Sequence, residues 1–432
     1  MPQSAATLDA TKTIAAPARE QGLAAVIDTL RSTKTIRKRA KALLERARRG
    51  ESAWFTVNDG AMVTAAALVA ELTQARYPDL KIPYHSRWRH FEAGGVDRAA
   101  QLDAALADSS PAQKAIAQID LALVSVLLDA GAGADWRYQE PGHDRHPAHA
   151  YSRSEGLGVA SFHAFTGGLF SSDPSKPLQA DAAGLQAITE GKLAQAFQVS
   201  ANNPLIGLEG RATLLRRLGQ ALQDQPELFG QPGRPGNLFT LLTKGTSTLQ
   251  AHDLLTVLLT GLAPIWPAQN AIDGVALGDC WRHAAALADD AASPGNGWMP
   301  FHKLSQWLTY SLLEPFEWAG ITVEGLDALT GLPEYRNGGL FLDAGVLRLK
   351  NEATEGRLYE AGDELIVEWR ALTVALLDEL APLVREQLGL TAQQMPLACV
   401  LEGGTWAAGR ALAQQLRGGT PPLNIVSDGT VF

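Results

Sequence analysis

Four short stretches of this chain concentrate side chains that could do chemistry. From Tyr84 to Arg98 the sequence places His85, Arg87, Arg89, His90 and Arg98 beside Trp88 and Phe91. Guanidinium forks bind carboxylate or phosphate in a bidentate way, and histidines among them add proton-transfer capacity near neutrality. The bland alternative is a surface loop of snorkelling arginines. A second stretch, Asp135 to Phe165, carries Trp136, Tyr151, Arg153, Ser154 and Glu155 just before Gly156. A helix is expected to start there, and its free N–H groups suit an anion or polar ligand. In the third, Phe301 to Gly320, Glu314 follows an apolar run and precedes Pro315. If it projects into an apolar pocket its carboxyl pKa rises and it can trade protons; if it ends a solvated helix it does neither. The fourth, Gly331 to Asp343, packs Glu334, Tyr335, Arg336 and Asn337 ahead of Gly338 and Gly339, where backbone can approach a ligand closely.

His143, His146 and His149 recur at a spacing that invites a metal. The segment has Gly and Pro and no adjacent Cys, so exposed loop histidines are expected, with no metal and no cofactor. Glu402 to Arg410 is Gly-rich but matches no nucleotide-binding pattern, and no nucleophile elbow, P-loop or dinucleotide fingerprint is present.

Helices must position these groups. Leu23, Val26, Ile27 and Leu30 share a face; Ser32 is a candidate cap for a helix ending at Gly50. Ser110-Pro111 opens a helix that is apolar nearly all round and closes by Gly131. Leu365, Trp369, Leu372, Leu376 and Leu383 form a late stripe ending at Gly389, with a kink expected at Pro382. Strand signals are confined to Trp54–Val57, Gly339–Phe341 and Leu423–Val426. Residues 131–174 and 331–347 break the helical texture and read as long functional loops.

The chain has 432 residues, 46% hydrophobic and 19% charged, as in ordinary globular proteins. Its 37 basic against 46 acidic residues give a net charge of -9, which argues against nucleic acid and against an anionic membrane surface. The basic run Arg37 to Arg49 is expected to be a solvated helix face. Two cysteines, Cys280 and Cys399, suit a reducing compartment, and no signal peptide or bilayer-length apolar run is seen, so a cytoplasmic protein is expected. No linker or repeat divides the chain. The expected organisation is a flexible tail over residues 1–16 and a single large, mainly α catalytic domain over 17–432, with long functional loops.

Taken together, YPDLKIPYHSRWRHF, YSRSEGLGVASFHAF, GLPEYRNGGLFLDAGVL and the terminal NIVSDGTVF closely resemble a family of uracil-catabolism proteins in fungi and bacteria. That family is the fourth component of a ring-opening route ending in urea. The order of segments is also distantly similar to the queuosine-salvage N-glycosylases, helical enzymes related to the DNA-glycosylase fold. Asp129 to Trp136, Tyr151 to Phe165, the segment from Phe197 and the helix from Gly362 carry this likeness. The chain departs from it at Thr309-Tyr310, where those enzymes set a catalytic Asp beside a Tyr.

The resemblance implies a hydrolase that cleaves the N-ribosyl bond of ribosylurea, or its 5′-phosphate, and releases urea. Glu314 would stabilise the sugar cation, with Glu155 or Glu334 transferring a proton. The substrate would be held by His85, Arg87, Arg89, His90, Trp136, Tyr151, Arg153, Ser154, Tyr310, Tyr335, Arg336, Asn337 and Asp343. A metal-dependent amidohydrolase of the same route and a non-catalytic scaffold for other uracil-pathway enzymes are the competing readings.

Overall fold

The computed structural model describes residues 18–141, 150–266, 270–351 and 356–426. The tail over 1–16 and the three histidines at 143, 146 and 149 lie outside them. Helices dominate, in chain order α1 (Ala18–Arg31), α2 (Thr33–Arg48), α3 (Met62–Arg76), α4 (Trp88–Phe91), α5 (Arg98–Ala105) and α6 (Pro111–Leu127). They continue as α7 (Arg153–Thr166), α8 (Ala182–Gln186), α9 (Glu190–Ala196), α10 (Leu208–Asp224), α11 (Pro226–Phe229) and α12 (Asn237–Leu242). The last are α13 (Ala251–Gly261), α14 (Lys303–Trp318), α15 (Tyr335–Asp343), α16 (Glu364–Leu388), α17 (Leu397–Val400) and α18 (Trp406–Arg417). A π turn, Leu401–Thr405, joins α17 to α18.

The protein is mainly α. Among the described residues the strands only pair two by two, such as Phe55–Val57 with Leu347–Leu349 antiparallel and Thr248–Gln250 with Thr322–Glu324 parallel. The core is one large cluster into which α6, α14 and α16 send their apolar side chains, plus a small cluster of Ile27, Leu30, Ile272, Leu277, Cys280 and Trp298. α6 packs along α14, α15 along α18, and α16 against both α2 and α3. No helix among the described residues is long and apolar enough to cross a membrane.

Local chemistry explains the boundaries. Ser110 and Gln113 form a reciprocal capping box at the start of α6, ahead of Pro111. Ser32 precedes α2, but its side chain makes no capping bond. The expected strand Gly339–Phe341 is instead the middle of α15. Glu334 overrides the local pattern by accepting from the backbone N–H groups of both Arg336 and Asn337. The basic run is only partly a solvated face: Arg37 pairs with Asp378, and Arg39 is buried with its guanidinium on Gly295 O at 2.8 Å.

Pro315 lies inside α14, so Glu314 is a mid-helix residue and not a helix end. A proline there cannot donate to the carbonyl four residues back. That carbonyl, Ser311 O, takes the indole N–H of Trp88 at 2.9 Å instead. The missing helical bond thus fastens the segment that carries Arg87 onto α14.

Candidate active site

The first turns of α7, α14 and α15 meet near α4 and the C-terminal end of α6. Asp129 stands two residues beyond α6, where the helix dipole disfavours a negative charge. Cations offset this. Arg87 Nη1 lies 3.0 Å from Asp129 Oδ1, off the hydrogen-bonding direction. Burial works to raise the Asp129 pKa but is outweighed by Arg87, His90 and Lys303, which together hold it below the usual carboxylate range.

Arg87 is fully buried and rigidly held. Its Nε donates to Ser125 Oγ at 2.6 Å, its Nη1 to Ser154 O at 3.2 Å and His90 Nδ1 at 3.4 Å, and it lies over the Trp307 ring. Among the described residues, Arg87 Nη2 and Asp129 Oδ1 have no hydrogen-bond partner. His90 stands edge-on to Trp307, and burial, with Arg87 next to it, pushes its pKa down to about 4.

On the other side of Asp129, burial lowers the Lys303 pKa against the pull of Glu334, Asp129 and Asp279. Asp279 fixes this corner: it accepts from Lys303 N at 2.9 Å and takes both Arg370 nitrogens at 2.8 Å. Glu334 is pushed the opposite way from Asp129. Burial raises its pKa despite the two backbone N–H groups it accepts and despite Lys303 and His85.

The structure gathers Arg87, His90 and Glu334 around Asp129 and Lys303, and His85 and Glu155 act electrostatically on this buried cluster. Glu155 pairs with Arg410 at 3.5 Å, is 38% exposed at the side chain, and acts electrostatically on Arg87 and His90. Ser154 contributes its carbonyl. Arg153, at a strained φ of 53°, and the half-exposed Tyr335 ring interact at the mouth, with Arg336 over that ring.

Other predicted residues lie elsewhere. Trp136 is buried behind α7, its indole on Phe197 O at 3.0 Å. Tyr151 belongs to a network of Arg98, Glu140 and His163. Tyr310 donates to Thr330 O in the core. Asn337 is a strut, accepting from Thr405 Oγ1 at 2.8 Å, and Asp343 pairs with Arg417 at the far end of α15.

Glu314 occupies a different place. It lies eleven residues along α14 from Lys303, a rise of ~16 Å, and accepts from Ser86 Oγ and, at 2.9 Å, Arg89 Nη2. It faces a cleft of about 320 Å3 shared with Tyr84, Glu317, Trp318 and Cys399. Burial raises its pKa to about 7. Among the described residues no group of three His, Cys, Asp or Glu side chains is placed to hold a metal ion.

A family model described as "Protein of unknown function (DUF1688)" matches residues 29–432. The chain belongs to this family. It is 42% identical over 419 residues to "Protein urg3" of Schizosaccharomyces pombe, covering 93% of this chain and 98% of that one. It is 41% identical over 384 residues to "Uracil catabolism protein 4" of Lachancea kluyveri, covering 81% of this chain and 85% of that protein. The DUF1688 match spans every element of the cluster just described, from α4 to α15.

Asp129 and Lys303 are the pocket residues that motif reading passed over. Asp129 follows the largely apolar last turns of α6, and Lys303 opens a helix with no acidic residue in its first turn. A lone charge at the end of an apolar element is the signal that could have found both.

Proposed function

We propose that this protein is an enzyme of uracil breakdown, a hydrolase that cleaves the N-ribosyl bond of ribosylurea or its 5′-phosphate and releases urea. The name of the Lachancea kluyveri relative supports the pathway. The observation that supports the bond type is a pair of buried carboxyls, Asp129 and Glu334, shifted in opposite directions with Lys303 acting on both. Arg87, His90 and Lys303 hold the Asp129 pKa below the usual carboxylate range, and burial raises that of Glu334. Such opposed carboxyls mark acid and charge-stabilising roles in glycosidic cleavage.

In this reading Asp129 faces C1′ and stabilises positive charge as the sugar bond to nitrogen breaks. Glu334 gives its proton to the departing urea nitrogen. Arg87 holds Asp129 in place through their buried ion pair. Lys303 holds both carboxyls in register. The charge-stabilising role thus passes from Glu314 to Asp129, and Glu314 instead braces the segment carrying Arg87, through Ser86 and Arg89.

The test is to incubate purified protein with the ring-opened uridine product, with and without 5′-phosphate, and quantify urea, free ribose or ribose phosphate, and ammonia. Equimolar urea and sugar support the reading. Ammonia without urea would favour an amidohydrolase, and no product from either substrate would favour a scaffold.

A further inference from the structure

Hydrolysis of a sugar bond also needs a base for water, and the obvious groups of the pocket are engaged. His90 offers Nδ1 to Arg87 and its ring is a weak base, at about 4. Glu155 is paired with Arg410. Glu334 has the acid role. We infer that His85 is the catalytic base that activates the attacking water, and that Glu402, presented by the π turn, is its positioning residue. This rests on the reading above.

The Glu402 carboxylate is buried and saturated. One oxygen takes Arg76 Nη2 at 2.7 Å and Tyr77 OH at 3.0 Å; the other faces His85 Nδ1 at 2.8 Å. Burial opposes its charge, but His85 and Arg76 prevail and bring its pKa down to about 2. An ionised carboxylate only accepts, so the Nδ1 proton of His85 points at Glu402 and the lone pair of the neutral ring is on Nε2. No described residue bonds Nε2, and His85 interacts electrostatically with both Glu334 and His90. The ring therefore keeps Nε2 open beside the cluster that holds Glu334 and His90.

The backbone is built for this. His85 N donates to Ala398 O at 3.0 Å, and Arg76 Nη1 reaches the Glu402 and Gly403 carbonyls inside the π turn. A Cβ on Gly404 would come within 2.4 Å of Val69 O, so the turn is pressed directly onto α3. π turns are uncommon and cluster at functional sites. Here it gives Glu402 its direction.

The step balances as follows. Water oxygen bonds C1′ while its proton passes to His85 Nε2. The C1′–N electron pair goes to the urea nitrogen, which takes the Glu334 proton. Solvent returns a proton to Glu334 and removes one from His85.

Azide ion needs no deprotonation, so it separates a lost base from a damaged fold. His85→Ala should lower kcat for urea release ~10²-fold or more, with KM within about threefold, and sodium azide should restore urea release while yielding ribosyl azide. Glu402→Gln should cost ~10- to 100-fold in kcat. Should His85→Ala not fold, His85→Gln carries the same azide test. A kcat for the His85 variant within twofold of wild type, or a loss that azide does not rescue in a variant melting like wild type, overturns the assignment. No urea from the wild-type protein overturns the N-ribosyl reading, and this inference with it.

Discussion

Arg87 and Arg89 are two positions apart yet do different work. Arg87 is buried against Ser125, Ser154 and Asp129, whereas Arg89 sits part-exposed between Glu92 and Glu314. Removing one partner of a buried pair strands the other charge, which costs ~3–5 kcal/mol. Arg87→Ala should therefore unfold at much lower guanidinium than wild type. Arg89→Ala should shift the midpoint far less and keep its fold. Equal midpoints for the two variants would contradict the burial pattern. Glu314 makes a pH prediction. Its carboxyl is raised by burial to about 7 from an ordinary value of 4.5, so its protonation stabilises the fold below pH ~4.5 and that contribution is lost as pH rises to ~7. Glu314→Gln does not titrate. The stability of wild type relative to Glu314→Gln should thus fall by about 2 kcal/mol between pH 5 and pH 8. A difference independent of pH would place an unperturbed carboxyl at this position. Sequence alone marked Arg87 and Glu314 as chemistry-bearing. It could not tell that Arg87 is buried and Arg89 part-exposed, because alternate residues in the RWRH run point in different directions only once α4 is docked.

The elements that hold the pocket work through close contacts. α18 crosses α15 at Gly409, where a Cβ would meet Arg336 O at 2.0 Å. Gly409→Ala must therefore push the helices apart, with an overpacking cost of ~1–3 kcal/mol. Because α15 carries Glu334 and α18 follows the π turn that carries Glu402, KM and kcat should both worsen alongside a lower Tm. A variant with wild-type melting would show that the crossing tolerates a methyl group. Much at this scale was legible. The capping box at Ser110, the apolar run of α6 and the stripe of α16 are local patterns, and the structure has them as helices. α15 was not legible as a helix, since three apolar or glycine residues at Gly339–Phe341 fit a strand as well. Its deciding feature is a cap five residues upstream whose worth depends on burial. Motif reading likewise marked residues 331–347 as a loop because Gly, Pro and charge were dense there, although in the fold that density starts a helix aimed at the pocket.

At the scale of the whole molecule, the cluster joins Arg87, His90, Asp129, Ser154, Lys303, Trp307 and Glu334, with Glu402 paired to His85 beside it, drawn from segments far apart in the chain. A net charge of -9 surrounds a centre that is locally cationic through Arg87 and Lys303. Composition therefore pointed away from nucleic acid but could not reveal a buried basic site. For the same reason Asp129 escaped notice: its partners are 42 residues before it, at Arg87, and 174 after it, at Lys303. The central claim is that the ionised Asp129 carboxylate drives N-ribosyl cleavage. The most direct test is initial-rate urea release from ribosylurea and its 5′-phosphate by wild type and Asp129→Asn. The Asn side chain keeps the shape and removes the charge. The account predicts urea and sugar in equal amounts from wild type, and a kcat lower by ~10²- to 10³-fold in the variant, with a native circular dichroism spectrum. Urea released as fast by folded Asp129→Asn, or no urea from the wild-type protein with either substrate, would contradict it.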